Sequence, residues 1–215
     1  MTRPPLDLSL YLVTDTRLCG TLGVPATVSA AVAAGVSVVQ LRDPAAGDAE
    51  LVTLGRAVAR ALAGTGVPLV VNDAVHLVEA IGAQGAHVGQ GDTDPREARA
   101  RLGHAAYLGL SVQTTDHVEA ARGADVDYLG VGPVFAQTTK PDGAEPGGLE
   151  RLARIVTLSP VPCVAIGGIG LEQAAQVRAT DAAGIAVVSA ICGQQDVASA
   201  TRALRAAWDN AGARA

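Results

Sequence analysis

Eight short runs of Val, Ile and Leu, spaced along 215 residues, constrain this chain more than any other feature. They are Ser9–Asp15, Val36–Arg42, Val67–Asp73, Gly85–Gln90, Ala106–Val112, Val126–Val134, Val161–Gly168 and Gly184–Ile191. Most are apolar at successive positions, the pattern of strands buried on both faces of a parallel sheet. Ala- and Leu-rich segments of helical length lie between them, among them Asp48–Ala63, Pro95–Leu102, Thr114–Arg122 and Leu171–Ala179. Pro95 suits a first helical position, and Thr114 or Thr115 can cap the helix carrying His117 and Glu119. Small-residue turns such as Ala34-Gly35 and Ala183-Gly184 precede alternate strands, a weak two-strand repeat. Strand and helix alternate eight times without a break. That predicts an α/β fold closed into a single (β/α)8 TIM barrel over residues 1–215.

Composition narrows the function. The chain is 49% hydrophobic, enough for a barrel core at a length near the lower limit for this architecture. With 2% aromatic residues, a net charge of −5 and no basic run, it lacks the surface and stacking groups of a nucleic-acid binder. No run approaches the ~20 apolar residues of a membrane span, and the first ten residues hold no long apolar stretch, so neither membrane nor export is expected. Cys19, Cys163 and Cys192 are far apart and in no metal-ligand spacing. They read as reduced thiols of a cytoplasmic protein.

In a barrel of this kind the chemistry sits at the C-terminal strand ends. Those ends are where polar residues interrupt the apolar pattern: Gln40-Leu41-Arg42-Asp43, Asn72-Asp73, Gly89-Gln90-Gly91-Asp92, Ser111, Thr138-Thr139-Lys140, Gly167-Gly168 and Ser189. Taken singly, an Asn-Asp pair is a turn, a Gly-Gly a loop and an Arg a surface residue. Taken together, they converge on one mouth. Asp73 and Asp92 end neighbouring strands and suit one Mg²⁺, which takes one or two carboxylates together with waters and phosphate oxygens. No His/Cys cluster favours zinc. Arg42 and Lys140 suit a pyrophosphate. Gly167-Gly168 and Val188-Ser189, after strands seven and eight, match the usual monophosphate pocket of such barrels. Two anion sites, one with metal, point to two phosphorylated small-molecule substrates. The segment Lys140–Gly148, with two prolines and three glycines, is the candidate lid.

The strand-end motifs resemble those of the thiamine phosphate synthase family, also called thiamine-phosphate pyrophosphorylases. The landmarks are Tyr11-Leu12-Val13-Thr14-Asp15, Val39-Gln40-Leu41-Arg42, Val71-Asn72-Asp73, His87-Val88-Gly89-Gln90 with Asp92, and Gly109-Leu110-Ser111. Gly132-Pro133-Val134-Phe135, Thr138-Thr139-Lys140-Pro141, Ala165-Ile166-Gly167-Gly168-Ile169 and Val187-Val188-Ser189-Ala190-Ile191 complete them. The resemblance implies a transferase that joins hydroxymethylpyrimidine diphosphate to a (carboxy)thiazole phosphate, releasing pyrophosphate. It implies that Gln40, Leu41, Arg42, Asp43, Pro44, Asn72, Ser111 and Lys140 serve the pyrimidine diphosphate, with Arg42, Ser111 and Lys140 catalytic. Gln137, Thr138, Thr139, Gly167, Gly168, Val188 and Ser189 would serve the thiazole phosphate, and Asp73 and Asp92 the Mg²⁺. It also implies a small homo-oligomer.

Two positions depart from the family pattern: Pro44 where a Lys is usual, and Gln113 where a His is frequent. The loss at Pro44 shifts charge work to Arg42, Lys140 and the metal. Three rival readings follow from the same residues. A thiazole tautomerase of this fold would need neither both carboxylates nor Thr138-Thr139-Lys140. A non-catalytic sensor of thiamine precursors is favoured by Pro44 alone. A phosphate-sugar epimerase would want His-based metal ligands.

Overall fold

A computed structural model describes residues 4–137 and 145–212. Its eight strands are β1 (Leu10–Val13), β2 (Val38–Leu41), β3 (Leu69–Asn72), β4 (Gly85–Val88), β5 (Tyr107–Val112), β6 (Tyr128–Val131), β7 (Cys163–Ile166) and β8 (Gly184–Val187). They pair in chain order, all parallel, and β8 closes onto β1 with Leu10 opposite Ile185. The expected eight-stranded barrel is therefore present. Its ladders are shorter than the apolar runs suggest, because the chain leaves the sheet before the polar strand ends. At the other end, β6 starts later than its apolar run: Val126 precedes the ladder, where Asp127 accepts the Leu108 N–H (2.7 Å) and pairs with Arg99 (2.8 Å).

The helices are α1 (Thr16–Cys19), α2 (Val24–Ala33), α3 (Asp48–Leu62), α4 (Val78–Ile81), α5 (Pro95–Leu102), α6 (Thr115–Ala121), α7 (Gly148–Leu158), α8 (Leu171–Arg178) and α9 (Val197–Gly212). Local chemistry sets their starts. Asp94 accepts the N–H groups of Arg96 (2.8 Å) and Glu97 (3.3 Å), and Pro95 opens α5 where a missing N–H costs nothing. Thr114, rather than Thr115, caps α6 by accepting the His117 N–H at 3.3 Å. Among the described residues, no helix is long and apolar enough to cross a membrane.

Alternation along the strands builds two cores. Leu10, Leu12, Val39, Leu41, Val71, Val88 and Ile185 face outward and pack under the helices. Tyr11, Val13, Val38, Val70, Tyr128, Val164 and Ala186 fill the lumen. The polar residues that share the lumen lie above and beside this plug: Gln40 stands opposite Val13, Asn72 opposite His87, and Ser111 opposite Gly130. The lumen therefore carries the polar side chains to the C-terminal mouth.

Candidate active site

The strand ends surround a cavity of about 830 Å³. On one side it is lined by Gln40, Arg42, Asn72, Asp92 and Ser111, and on the other by Gln137, Gly167, Gly168, Val188 and Ser189. These expected site residues thus share one mouth. Leu41 does not join them, because its side chain is fully buried in the outer core beneath the helices. Asp43 and Pro44 lie in the turn after β2, outside the cavity lining, where Asp43 accepts the Ala45 N–H at 3.1 Å. Thr138, Thr139 and Lys140 fall outside the described residues, as does most of the candidate lid. The end of that lid is pinned: Gly147 N–H donates to Pro133 O (2.8 Å), Gly148 N–H donates to Val134 O (2.9 Å), and Gly148 opens α7.

Arg42 is the one Lys or Arg among the described residues that lines the cavity. Its backbone is fixed by the buried Thr14, whose hydroxyl accepts the Arg42 N–H at 3.0 Å. Next to it, Asn72 Nδ2 donates to Asp73 Oδ2 at 2.5 Å, and Asp73 adopts a left-handed φ of 58°. That backbone region is uncommon for a residue with a side chain, though aspartate enters it more readily than most, as Asp125 and Asp181 also do. Asp92 closes its own turn by accepting the Gly89 N–H at 2.9 Å. Crowding by protein atoms and the facing Asp92 carboxylate push the Asp73 carboxyl up to about 6, against the opposing pull of Asn72 and Arg42. Two carboxylates in hydrogen-bonding reach of each other resist joint ionisation unless a cation lies between them. The donor set is oxygen-only and, among the described residues, no cluster of three or more His, Cys, Asp or Glu side chains stands ready for a metal. The oxygen-only pair fits a hard divalent cation that keeps several waters and substrate oxygens.

The other side is built from backbone. Gly167 (φ 101°) and Gly168 (φ 65°) turn the chain after β7. A Cβ on Gly167 would lie 2.7 Å from Pro133 Cα, and one on Gly168 would lie 2.8 Å from Phe135 Cβ. Only glycine fits both the dihedrals and the space. The N-terminus of α8 adjoins this turn through Gly170, which also lines the cavity, as does the Val188-Ser189-Ala190 turn after β8. Peptide groups at a helix start beside a glycine turn favour a phosphate.

Three lumen residues carried no assigned role in the sequence reading. Tyr11, Tyr128 and His87 are buried beneath the mouth and connect Gln40 to Ser111 by hydrogen bonds. Burial pushes both tyrosine hydroxyls well above their usual range and lowers the His87 ring to about 4, Asp92 opposing the latter shift. The signal available was a histidine inside an otherwise small and apolar strand, Gly85-Ala86-His87-Val88.

A closed parallel barrel with an acidic pair and an arginine on one side of its mouth, and a glycine-built phosphate cradle on the other, defines an enzyme acting on phosphorylated small molecules. Comparison with known proteins gives the particular family. A model of the thiamine monophosphate synthase family matches residues 10–191, and the chain belongs to that family. A thiamine-phosphate synthase of Azorhizobium caulinodans is 46% identical over 201 residues, covering 94% of this chain and 95% of that one. One from a Psychrobacter species is 48% identical over 200 residues, covering 92% and 93%. The solved thiamine phosphate pyrophosphorylase of Pyrococcus furiosus superposes with a TM-score of 0.87 at 32% identity, covering 95% of this chain and 97% of that one. A 3-hexulose-6-phosphate synthase, at 20% identity and a TM-score of 0.69, shares the fold.

Proposed function

We propose that this enzyme joins 4-amino-2-methyl-5-hydroxymethylpyrimidine diphosphate to a 4-methyl-5-hydroxyethylthiazole phosphate, with or without a 2-carboxyl group, giving thiamine phosphate and pyrophosphate. The observation that carries the reading is the division of one cavity between an Arg42–Asn72–Asp92 side, with Asp73 behind it against Asp92 and Asn72, and a Gly167-Gly168, Val188-Ser189 side. This division suits a diphosphate on the first side and a monophosphate on the second.

The bond to be broken joins a methylene carbon to a diphosphate oxygen. The electron-rich aminopyrimidine stabilises positive charge on that carbon as the bond loosens, so the protein's task is to hold the departing anion. Arg42 does this by fixed positive charge, with Lys140 assigned the same work from its sequence position. Asp73 and Asp92 would hold Mg²⁺, which would supply further positive charge at the leaving pyrophosphate. The glycine cradle anchors the thiazole phosphate so that its ring nitrogen waits beside the carbon, which removes the entropy cost of a two-body encounter. Gln40, Asn72 and Ser111 orient the pyrimidine, and Gln137, with Thr138 and Thr139, the thiazole.

Mixing the purified protein with both substrates and Mg²⁺ tests the reading. Thiamine phosphate and pyrophosphate should form in equal amounts, and neither should form when one substrate is withheld. Conversion of the thiazole phosphate alone would indicate a tautomerase instead, and tight binding without turnover would indicate a sensor.

A further inference from the structure

The lumen beneath the mouth contains an unbroken line of hydrogen bonds from Gln40 to Ser111. Gln40 Nε2 contacts Tyr11 Oη at 2.9 Å, and Tyr11 Oη contacts Tyr128 Oη at 2.7 Å. Tyr128 Oη contacts His87 Nδ1 at 3.1 Å, and His87 Nε2 contacts Ser111 Oγ at 2.9 Å. An amide nitrogen can only donate, so Tyr11 accepts from Gln40; the Tyr11 proton is buried and Tyr128 Oη is its one acceptor along this line, so satisfying every donor requires Tyr11 to donate to Tyr128. Tyr128 in turn passes its proton to His87 Nδ1. His87 is then the tautomer with hydrogen on Nε2, which donates to Ser111 Oγ. The hydroxyl proton of Ser111 is left for the cavity, and so is the carbonyl Oε1 of Gln40.

Water has little access to break this order. Tyr128 is 0% exposed, Tyr11 1%, Gln40 5% and His87 8%. In such surroundings each donor needs its acceptor, and the direction of one bond sets the next. The neighbouring strands also leave room for the rings. A Cβ at Gly109 would overlap the Tyr128 and His87 rings, and one at Gly130 would lie 2.9 Å from His87 Cε1.

We infer that this relay sets the hydrogen-bond polarity of the pyrimidine subsite, making Gln40 an acceptor and Ser111 a donor, with His87 and Tyr128 as the positioning residues that enforce it. The inference rests on the proposed function for the identity of the ring. An aminopyrimidine carries an amine donor beside ring-nitrogen acceptors, and a site of this polarity complements that edge. An oxo group in place of the amine would set two acceptors against each other.

Nitrogen-15 NMR of histidine-labelled protein, without substrate, tests the relay directly. The His87 resonances are identified by their absence in His87→Gln. Nε2 should carry the proton and Nδ1 should be bare; a proton on Nδ1 overturns the inference. Tyr128→Phe should release the tautomer and raise KM for the pyrimidine diphosphate about tenfold, leaving KM for the thiazole phosphate within about twofold. An equal rise in both would mean a general structural role and would also overturn it. Because the NMR measurement uses no substrate, a correct tautomer in a protein that makes no thiamine phosphate would sink the functional reading and leave the relay standing.

Discussion

His87 shows how a lumen position changes what a side chain does. Burial lowers its ring from the ordinary 6.5 to about 4, with Asp92 pulling the other way. Between those values the unfolded chain binds a proton that the folded chain refuses, so stability falls as pH drops from about 6.5 to about 4. A shift of that size corresponds to about 3 kcal/mol for a fully buried group. Thermal unfolding across this window should show a steeper loss of Tm for wild type than for His87→Asn; parallel curves would mean that His87 is not the group responsible. Lys140 makes the opposite point. It is the sole lysine among 16 basic residues. A compact ammonium at a chain that otherwise uses arginine suggests a requirement for a point charge. Lys140→Arg should keep the wild-type Tm and lose at least about tenfold in turnover, and a near wild-type rate would contradict the assignment. The acidic pair and Arg42 were legible in the sequence because they stand at strand ends that a barrel brings to one mouth, although Asp43 shows that a strand-end charge can serve only a turn. The role of His87 was not, because a tautomer depends on partners 24 and 41 residues away that only the closed barrel brings together.

Turns after the strands carry the other half of the site. The Gly167-Gly168 turn is tight against Pro133 and Phe135, so the β6 and β7 loops support each other. Gly168→Ala should cost about 1–2 kcal/mol from its left-handed φ alone, read as a lower Tm. It should also raise KM for the thiazole phosphate more than KM for the pyrimidine diphosphate. A lower Tm with both constants unchanged would remove the turn from the phosphate site. At this scale the sequence located each strand but overran its ends, since apolar runs continue past the last ladder bond into the loops. Leu41 illustrates the cost of reading a motif as a block. It sits between two cavity residues, Gln40 and Arg42, yet β alternation sends its side chain to the outer core. The same alternation, applied residue by residue, would have separated them.

Over the whole molecule, eight strands bring groups from residues 40 to 189 into one mouth with two unlike halves. The barrel was readable from the eightfold alternation alone, because few folds accommodate it. That the halves share one cavity required the closure of β8 on β1, which puts strands seven and eight across from strands three and four. With Pro44 outside the cavity and Arg42 its one described cation, the proposed diphosphate half would depend heavily on metal held by Asp73 and Asp92. The decisive measurement is pyrophosphate release with both substrates as Mg²⁺ is titrated, in wild type and in Asp92→Ala. Release should require Mg²⁺ and the thiazole phosphate in wild type, and should fall at least about a hundredfold in the variant at any Mg²⁺ concentration. Equal release by the two proteins, or release by wild type in the presence of chelator, would contradict a metal-assisted departure at these carboxylates.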